Sequence, residues 1–300
     1  MYVVMGATGN TGSVVANRLL AAGKQVRGIG RSAERMQWLQ RKGGEPFVAN
    51  VTDQEALIDA FIGAEAVYVM IPPNPIASPF RAYQDTVTES VAVALEGSKV
   101  KYAVTLSSFG ADKPDGTGPV VGLYQMEQRL NRVAGLNVLH LRAGYFMENT
   151  LVQAGMIRKA GVALGPLLPE LEIPMIATRD IGAAAADALL KLDFTSHQSR
   201  ELQGQRDLTM NEATSIIGAA IVEPQLSYHQ APEDQVRAAM LQMGMSADLV
   251  RLIQEMAVAM NSGHMRALEA RSARNTTPTS YETFVQEEFL PYYRQGEAAA

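Results

Sequence analysis

Apolar positions in the first half of the chain fall in short, nearly continuous runs separated by amphipathic stretches. The runs are Tyr2–Met5, Gln25–Gly30, Pro46–Ala49, Ala66–Ile71, Tyr102–Leu106 and Val138–Leu141. They are rich in β-branched and aromatic residues and end at Gly, Pro, Asn or Ser, as strands buried on both faces do. Between them, Thr11–Ala22, Ala33–Arg41 and Asp53–Ile62 carry helical periodicity at lengths that suit crossover connections. Thr52, with Glu55 three residues on, reads as a capping box that starts a helix. Strands and helices alternating in this way predict an α/β fold: a doubly wound parallel sheet with helices on both faces.

From about Ala143 the rhythm changes. Glu148–Lys159, Arg179–Lys191, Met210–Ile221, Pro232–Met243 and Ser246–Met260 read as helices, with Glu201–Gly204 and Leu226–Gln230 as short extended pieces. Thr279 and Glu282 suggest a second capping box opening a last helix. The expected organisation is a sheet domain over 1–150, a smaller and mostly helical lobe over 151–295 interleaved with the sheet, and a frayed tail over 296–300. Met240, Met243, Met245 and Met256 either line an adaptable apolar pocket or simply pack the lobe's helices.

Composition narrows the chemistry. The 300 residues carry 26 Lys and Arg against 31 Asp and Glu, so there is no positive surplus for gripping a nucleic acid. The chain has no cysteine, which removes disulfides, thiolate nucleophiles and Cys-based metal sites, and its four histidines are scattered without ligand spacing, so no metal is expected. No apolar run approaches the ~20 residues of a membrane span, and no signal peptide is read at the N-terminus. The expectation is a cytoplasmic protein with no membrane partner.

Gly6-Ala7-Thr8-Gly9-Asn10-Thr11-Gly12 follows the first strand and opens the first helix. In a strand–turn–helix context this spacing predicts a dinucleotide site: Gly6 makes the turn, Gly9 lets the backbone approach a pyrophosphate, and Gly12 lets the helix pack on the sheet. NAD sites usually carry an acid ~20 residues further on, for the ribose hydroxyl. Here Gly30-Arg31-Ser32 stands at that point, with Arg31 nineteen residues after Gly12 and no acid between Lys24 and Ala33. A guanidinium with a neighbouring hydroxyl, and Arg35 if it shares that face, suits a 2′-phosphate, so NADPH is expected over NADH.

At these residues the chain resembles the NmrA-like group of atypical short-chain dehydrogenases/reductases, which are Rossmann proteins. Leu106-Ser107-Ser108-Phe109-Gly110-Ala111, Leu141-Arg142-Ala143-Gly144-Tyr145-Phe146-Met147-Glu148-Asn149 and Thr276-Thr277-Pro278-Thr279-Ser280 carry the likeness further, over nearly the whole chain. The resemblance implies that Asn50 and Val51 border the adenine, that Ile71, Pro72 and Pro73 flank the nicotinamide ribose, that Tyr145, Phe146 and Asn149 lie near the nicotinamide, and that Ser107 also belongs to the cofactor site. Typical short-chain dehydrogenases use a Ser and a Tyr followed four positions later by Lys. Ser107 or Ser108 fits the serine slot and Tyr124 the tyrosine slot, but the fourth position on is Gln128, which cannot lower a phenol pKa. Tyr124 is then either a weak proton donor or an ordinary helix-face tyrosine. His140 reads as a core histidine, Arg142 as a loop brace and Glu127 as a solvated helix residue.

Two functions remain open on these grounds. One is an NADPH-dependent reductase of a small apolar quinone, carbonyl or enone-like compound, for which solvent can supply the proton. The other is an NADP(H)-sensing regulator acting through a protein partner, which the missing lysine favours.

Overall fold

The computed structural model describes residues 1–297, and the last three residues of the expected frayed tail, 298–300, lie outside them. The elements run β1 Tyr2–Met5, α1 Asn10–Ala21, β2 Val26–Gly30, α2 Gln37–Arg41, β3 Glu45–Val48, α3 Gln54–Phe61, β4 Ala66–Val69, α4 Phe80–Ser98, β5 Tyr102–Ser108, α5 Val120–Leu130 and β6 Asn137–Ala143. They continue with β7 Tyr145–Phe146, α6 Gln153–Ala160, β8 Ala163–Gly165, β9 Ile173–Ile176, α7 Thr178–Lys191, β10 His197–Leu202, β11 Asp207–Leu208, α8 Met210–Ala220 and β12 Tyr228–Gln230. The described chain closes with α9 Glu233–Gln242, α10 Ala247–Asn261, α11 Tyr281–Phe284 and α12 Leu290–Glu297.

Seven parallel strands form the main sheet in the order β10-β6-β5-β4-β1-β2-β3. This is the Rossmann arrangement, with the strand order reversing between β1 and β4, where a crevice opens at the carboxyl ends. One core lies between the sheet and α3, α4 and α5, including Leu57, Phe61, Val91 and Leu95. A second lies under α1 and α7, including Val15, Leu19, Ile181 and Leu189. Each such side chain, fully buried, contributes about 1.5–3 kcal/mol. A third apolar cluster, with Phe284 and Phe289 from the C-terminal helical stretch, fills the smaller lobe, which also holds the short sheets β11-β9-β7 and β12-β8. No helix among the described residues is long and apolar enough to cross a membrane.

Several expectations need correction. Glu201 and Leu202 do not belong to an isolated piece of the lobe: they end β10, which pairs with β6 as an edge strand of the main sheet. The helix after Asn50 is capped by Asp53, whose carboxylate accepts the Ala56 N–H, so Thr52 and Glu55 form no capping box. The last helix is likewise capped by Ser280 rather than Thr279. The capping box that does form joins Thr209 and Glu212 at the start of α8.

Candidate functional site

The loop between β1 and α1 is built by its glycines. Gly6 has φ +63°, a conformation that L side chains rarely adopt. A Cβ on Gly12 would fall 2.3 Å from the Gly6 carbonyl oxygen and 2.9 Å from that of Met5, so only glycine lets α1 sit this close to the strand. Helix α1 starts at Gly9 with no side-chain cap and no acidic residue in its first turn. Its leading N–H groups and the positive end of its dipole therefore face the crevice uncompensated, the arrangement that attracts an anion. Ala7 is buried and donates its N–H to Ile29 O. Gly9 and Asn10 are exposed at the loop's surface, and Thr8 is half-buried. The Thr11 hydroxyl points inward and accepts a hydrogen bond from Tyr68 at 3.0 Å, so this residue faces the crevice only through its backbone.

At the tip of β2, Arg31 is exposed and has no hydrogen bond or ion pair among the described residues. Burial raises the Tyr83 phenol pKa and the Arg31 charge partly offsets that rise, which puts the guanidinium within electrostatic reach of Tyr83. Ser32 Oγ accepts the Arg35 N–H, and the Arg35 guanidinium reaches the Thr8 carbonyl at 3.5 Å. Arg35 thus flanks the loop, and Arg31 stands at the neighbouring strand tip. Beyond β3, Asn50 is exposed and its side chain accepts the Thr52 N–H, closing a turn over the buried Val51.

Along the same edge of the sheet lies a cleft of about 610 Å³. Ile71, Pro72 and Pro73 line it as the chain leaves β4, with Pro72 held through its carbonyl by the Tyr83 hydroxyl. Ser107 and Ser108 at the end of β5, and Tyr145 and Phe146 in β7, form another part of the lining. The lobe contributes Met256 and Met260 from α10, and Met265 beyond it. Of the four methionines in the Met-rich stretch only Met256 reaches this wall, while Met243 is exposed. Met70 joins the cleft to the glycine loop: it lines the cleft, and its sulfur sits 2.8 Å from where a Gly6 Cβ would be.

Under the cleft lies a charged pair that sequence reasoning misread. Glu127 is not solvated but 2% exposed. Its carboxylate accepts from Arg142 Nη2 at 2.5 Å and Nε at 3.0 Å, and from Ser107 Oγ at 2.6 Å. The Ser107 proton is thereby committed to Glu127, and toward the cleft this hydroxyl can only accept. Ser108 carries no such tie. Arg142 also braces the loop after β5 through the Ala111 carbonyl. Tyr124 does not join the cleft lining; on α5 its neighbour Leu123 does. Burial pushes the Tyr145 phenol up to about 12, so at neutral pH it stays protonated. His140 is a core residue, as expected. Asn131 Oδ1 takes its Nε2–H, Nδ1 accepts from the Thr105 hydroxyl, and burial lowers its pKa to about 4. Among the described residues no group of three or more potential ligands is placed to hold a metal ion.

Comparison with known proteins agrees with this architecture. An NAD(P)H azoreductase of Xenophilus azovorans is 28% identical over 258 residues, 85% of this chain and 86% of that protein. A (4-alkanoyl-5-oxo-2,5-dihydrofuran-3-yl)methyl phosphate reductase of Streptomyces griseus is 30% identical over 243 residues, 80% of either chain. Among solved structures, an NADPH-dependent quinone oxidoreductase of Escherichia coli, complexed with NADPH, superposes with a TM-score of 0.81 at 23% identity, covering 96% of this chain and all of that one. The NmrA-like family model matches residues 2–290, and the chain belongs to that family.

Proposed function

We propose that the chain binds NADP(H) along the carboxyl edge of the sheet and reduces a small apolar acceptor held in the adjoining cleft. The observation that carries this reading is the continuity, through Met70, of an uncapped glycine-loop helix terminus with an apolar cleft. The donor set fits the dinucleotide. Within the Gly6–Gly12 loop, the N–H groups that open α1, those of Asn10, Thr11 and Gly12, would hold the pyrophosphate, and Arg31, Ser32 and Arg35 the 2′-phosphate that makes NADPH preferred over NADH. Asn50 and Val51 would border the adenine, with Ile71, Pro72, Pro73, Ser107, Tyr145 and Phe146 toward the nicotinamide. The sheet supplies the dinucleotide side and the C-terminal lobe the substrate side.

When bound, NADPH supplies a hydride to an electrophilic atom of the acceptor. The residues around the cleft decide what else is possible. Ser107 cannot donate without surrendering its bond to Glu127, and the Tyr145 phenol, held at about 12, is a poor acid. Ser108 can orient an acceptor oxygen by hydrogen bonding but, as an ordinary hydroxyl, does not protonate it. No side chain facing the cleft matches the Tyr–Lys acid of typical short-chain dehydrogenases, and Tyr124 is assigned no proton-transfer role. An acceptor that stabilises the added electron pair itself, and takes its proton from solvent, suits this site best. A quinone does so, and so to a lesser degree does an enone-like compound or an activated carbonyl. The activities of the similar proteins, azo-compound reduction, butenolide phosphate reduction and quinone reduction, are all of this electron-accepting kind.

The test is a panel of acceptors mixed with the purified protein and either NADPH or NADH, following nicotinamide absorbance. The expected result is NADPH consumption that is fastest with 1,4-naphthoquinone and slow with a simple aliphatic ketone. Tight NADPH binding with no turnover of a quinone, azo dye, enone or aldehyde would remove the reductase reading.

A further inference from the structure

Among the described residues that line the cleft, Arg266 is the one cation. It is exposed beside Met265 and Ala267, and its guanidinium has no hydrogen bond or ion pair among the described residues. Arg271, further along the same segment, behaves differently: it binds the Asp207 carboxylate and the Gly204 carbonyl. Asp207 also lines the cleft, and that bond compensates its charge. Glu172, the other carboxylate of the lining, is exposed and forms no ion pair with Arg266. The remaining polar side chains of the lining, Gln84, Ser107, Ser108, Tyr145 and Asn149, are uncharged. A charged donor for an anion can therefore come only from Arg266.

The backbone that carries Arg266 is held on both sides. Before it, the Met265 N–H donates to the Ala259 carbonyl at 2.9 Å. The Met265 side chain packs against Gly110, where a Cβ would come within 2.8 Å of its Cγ. After it, the Leu268 and Glu269 N–H groups donate to the Glu201 carboxylate at 2.9 and 2.8 Å. Glu201 is 4% exposed, and its own N–H donates to Glu269 Oε1 at 3.0 Å. A buried carboxylate of β10 thus pins the segment, while the guanidinium that the segment brings to the cleft stays unused. Its planar fork of donors matches the oxygens of a carboxylate, sulfonate or phosphate.

We propose that Arg266 determines substrate specificity by binding an anionic group on the substrate. The preferred ligands of the cleft are then apolar ring compounds that carry a carboxylate, sulfonate or phosphate. The ring packs on the apolar lining, which includes Phe146, Met256 and Met260, and the anion reaches the guanidinium. The inference takes the cleft as the substrate site of the reductase reading and deepens it by naming the substrate class.

Binding without turnover tests this independently of reductase activity. Naphthalene-2-sulfonate and naphthalene-2-sulfonamide have nearly the same shape, differ in charge and accept no hydride. Each is titrated into NADPH-saturated wild type, Arg266→Gln and Arg266→Glu. The wild type is expected to prefer the sulfonate by roughly fivefold, the size of one partly exposed ion pair. That preference should vanish in Arg266→Gln and turn toward the sulfonamide in Arg266→Glu, with NADPH affinity unchanged in both. Met260→Trp, which fills the cleft, should weaken both ligands. Equal affinities in the wild type, or a preference that survives Arg266→Gln, would overturn the proposal. So would sulfonate binding that ignores the filled cleft, or an Arg266→Gln loss confined to NADPH. A quinone reductase activity that fails while the sulfonate preference stands would remove only the redox reading.

Discussion

Replacing Glu127 tests the buried arrangement that shapes the cleft floor. In Glu127→Leu the Arg142 guanidinium, with a side chain 15% exposed, loses both of its carboxylate contacts and keeps only the Ala111 carbonyl at 3.4 Å. Removing one partner of a buried ion pair costs about 3–5 kcal/mol, because the remaining charge stays desolvated. The Ser107 hydroxyl loses its acceptor as well, adding about 1 kcal/mol. The expected destabilisation is therefore about 4–6 kcal/mol, read as a lower midpoint in urea unfolding with an unchanged slope. The double variant Glu127→Leu/Arg142→Met removes both charges and should recover most of that loss, since an apolar pair of similar volume is often as stable as the ion pair. A single-variant loss under about 1 kcal/mol, or a double variant no better than the single, would refute the claim that these charges depend on each other.

Further outcomes follow from the same geometry. His140 is buried neutral with its pKa lowered to about 4 against about 6.5 unfolded, so its contribution is complete above pH 6.5 and is lost as the pH falls through that window. That loss, about 3 kcal/mol by pH 4, should be missing from the pH dependence of His140→Gln unfolding, and identical slopes for both proteins would contradict it. Arg31→Asp should weaken NADPH far more than NADH in calorimetric titrations, because only the 2′-phosphate loses a charge-assisted contact; equal losses would show that Arg31 does not select it. Gly12→Ala forces a Cβ against backbone oxygens, so thermal unfolding should show a loss of about 1–3 kcal/mol together with weaker NADPH binding, and an unshifted Tm would contradict the packing argument. Tyr124→Phe should change quinone turnover by less than the ~10²–10⁴-fold expected of a lost general acid, and a fall within that range would restore Tyr124 as the proton donor.

The sheet was legible because its interior strands are buried on both faces and so read as unbroken apolar runs: Tyr2–Met5 and Ala66–Val69 are buried at every position. The edge strand β10 escaped notice because one of its sides faces solvent, which leaves His197, Gln198, Ser199 and Arg200 polar. The glycine loop was readable because Gly6 and Gly12 are demanded by local backbone geometry. The cleft was only half visible. Ile71–Pro73 and Tyr145 lie at strand ends, where the fold places ligands, whereas Gln84, Met260 and Met265 arrive from elements distant in sequence. Glu127 looked like any charged residue on a helix. Its partner Arg142 lies on a different element, and fifteen residues of separation carry no periodic signal. The capping boxes failed at Thr52 and Thr279 because an adjacent Asp or Ser capped the helix one residue later.

The central claim is that the glycine loop and the cleft are one continuous redox site, and a single-turnover experiment addresses it most directly. Protein loaded with one equivalent of NADPH is mixed rapidly with 1,4-naphthoquinone while nicotinamide absorbance is followed. NADPH should be lost exponentially at a rate that saturates with quinone concentration, and that falls when Met260→Trp fills the cleft without changing NADPH affinity. NADPH that stays reduced on the protein, or a rate that rises linearly with quinone and ignores the filled cleft, would contradict it.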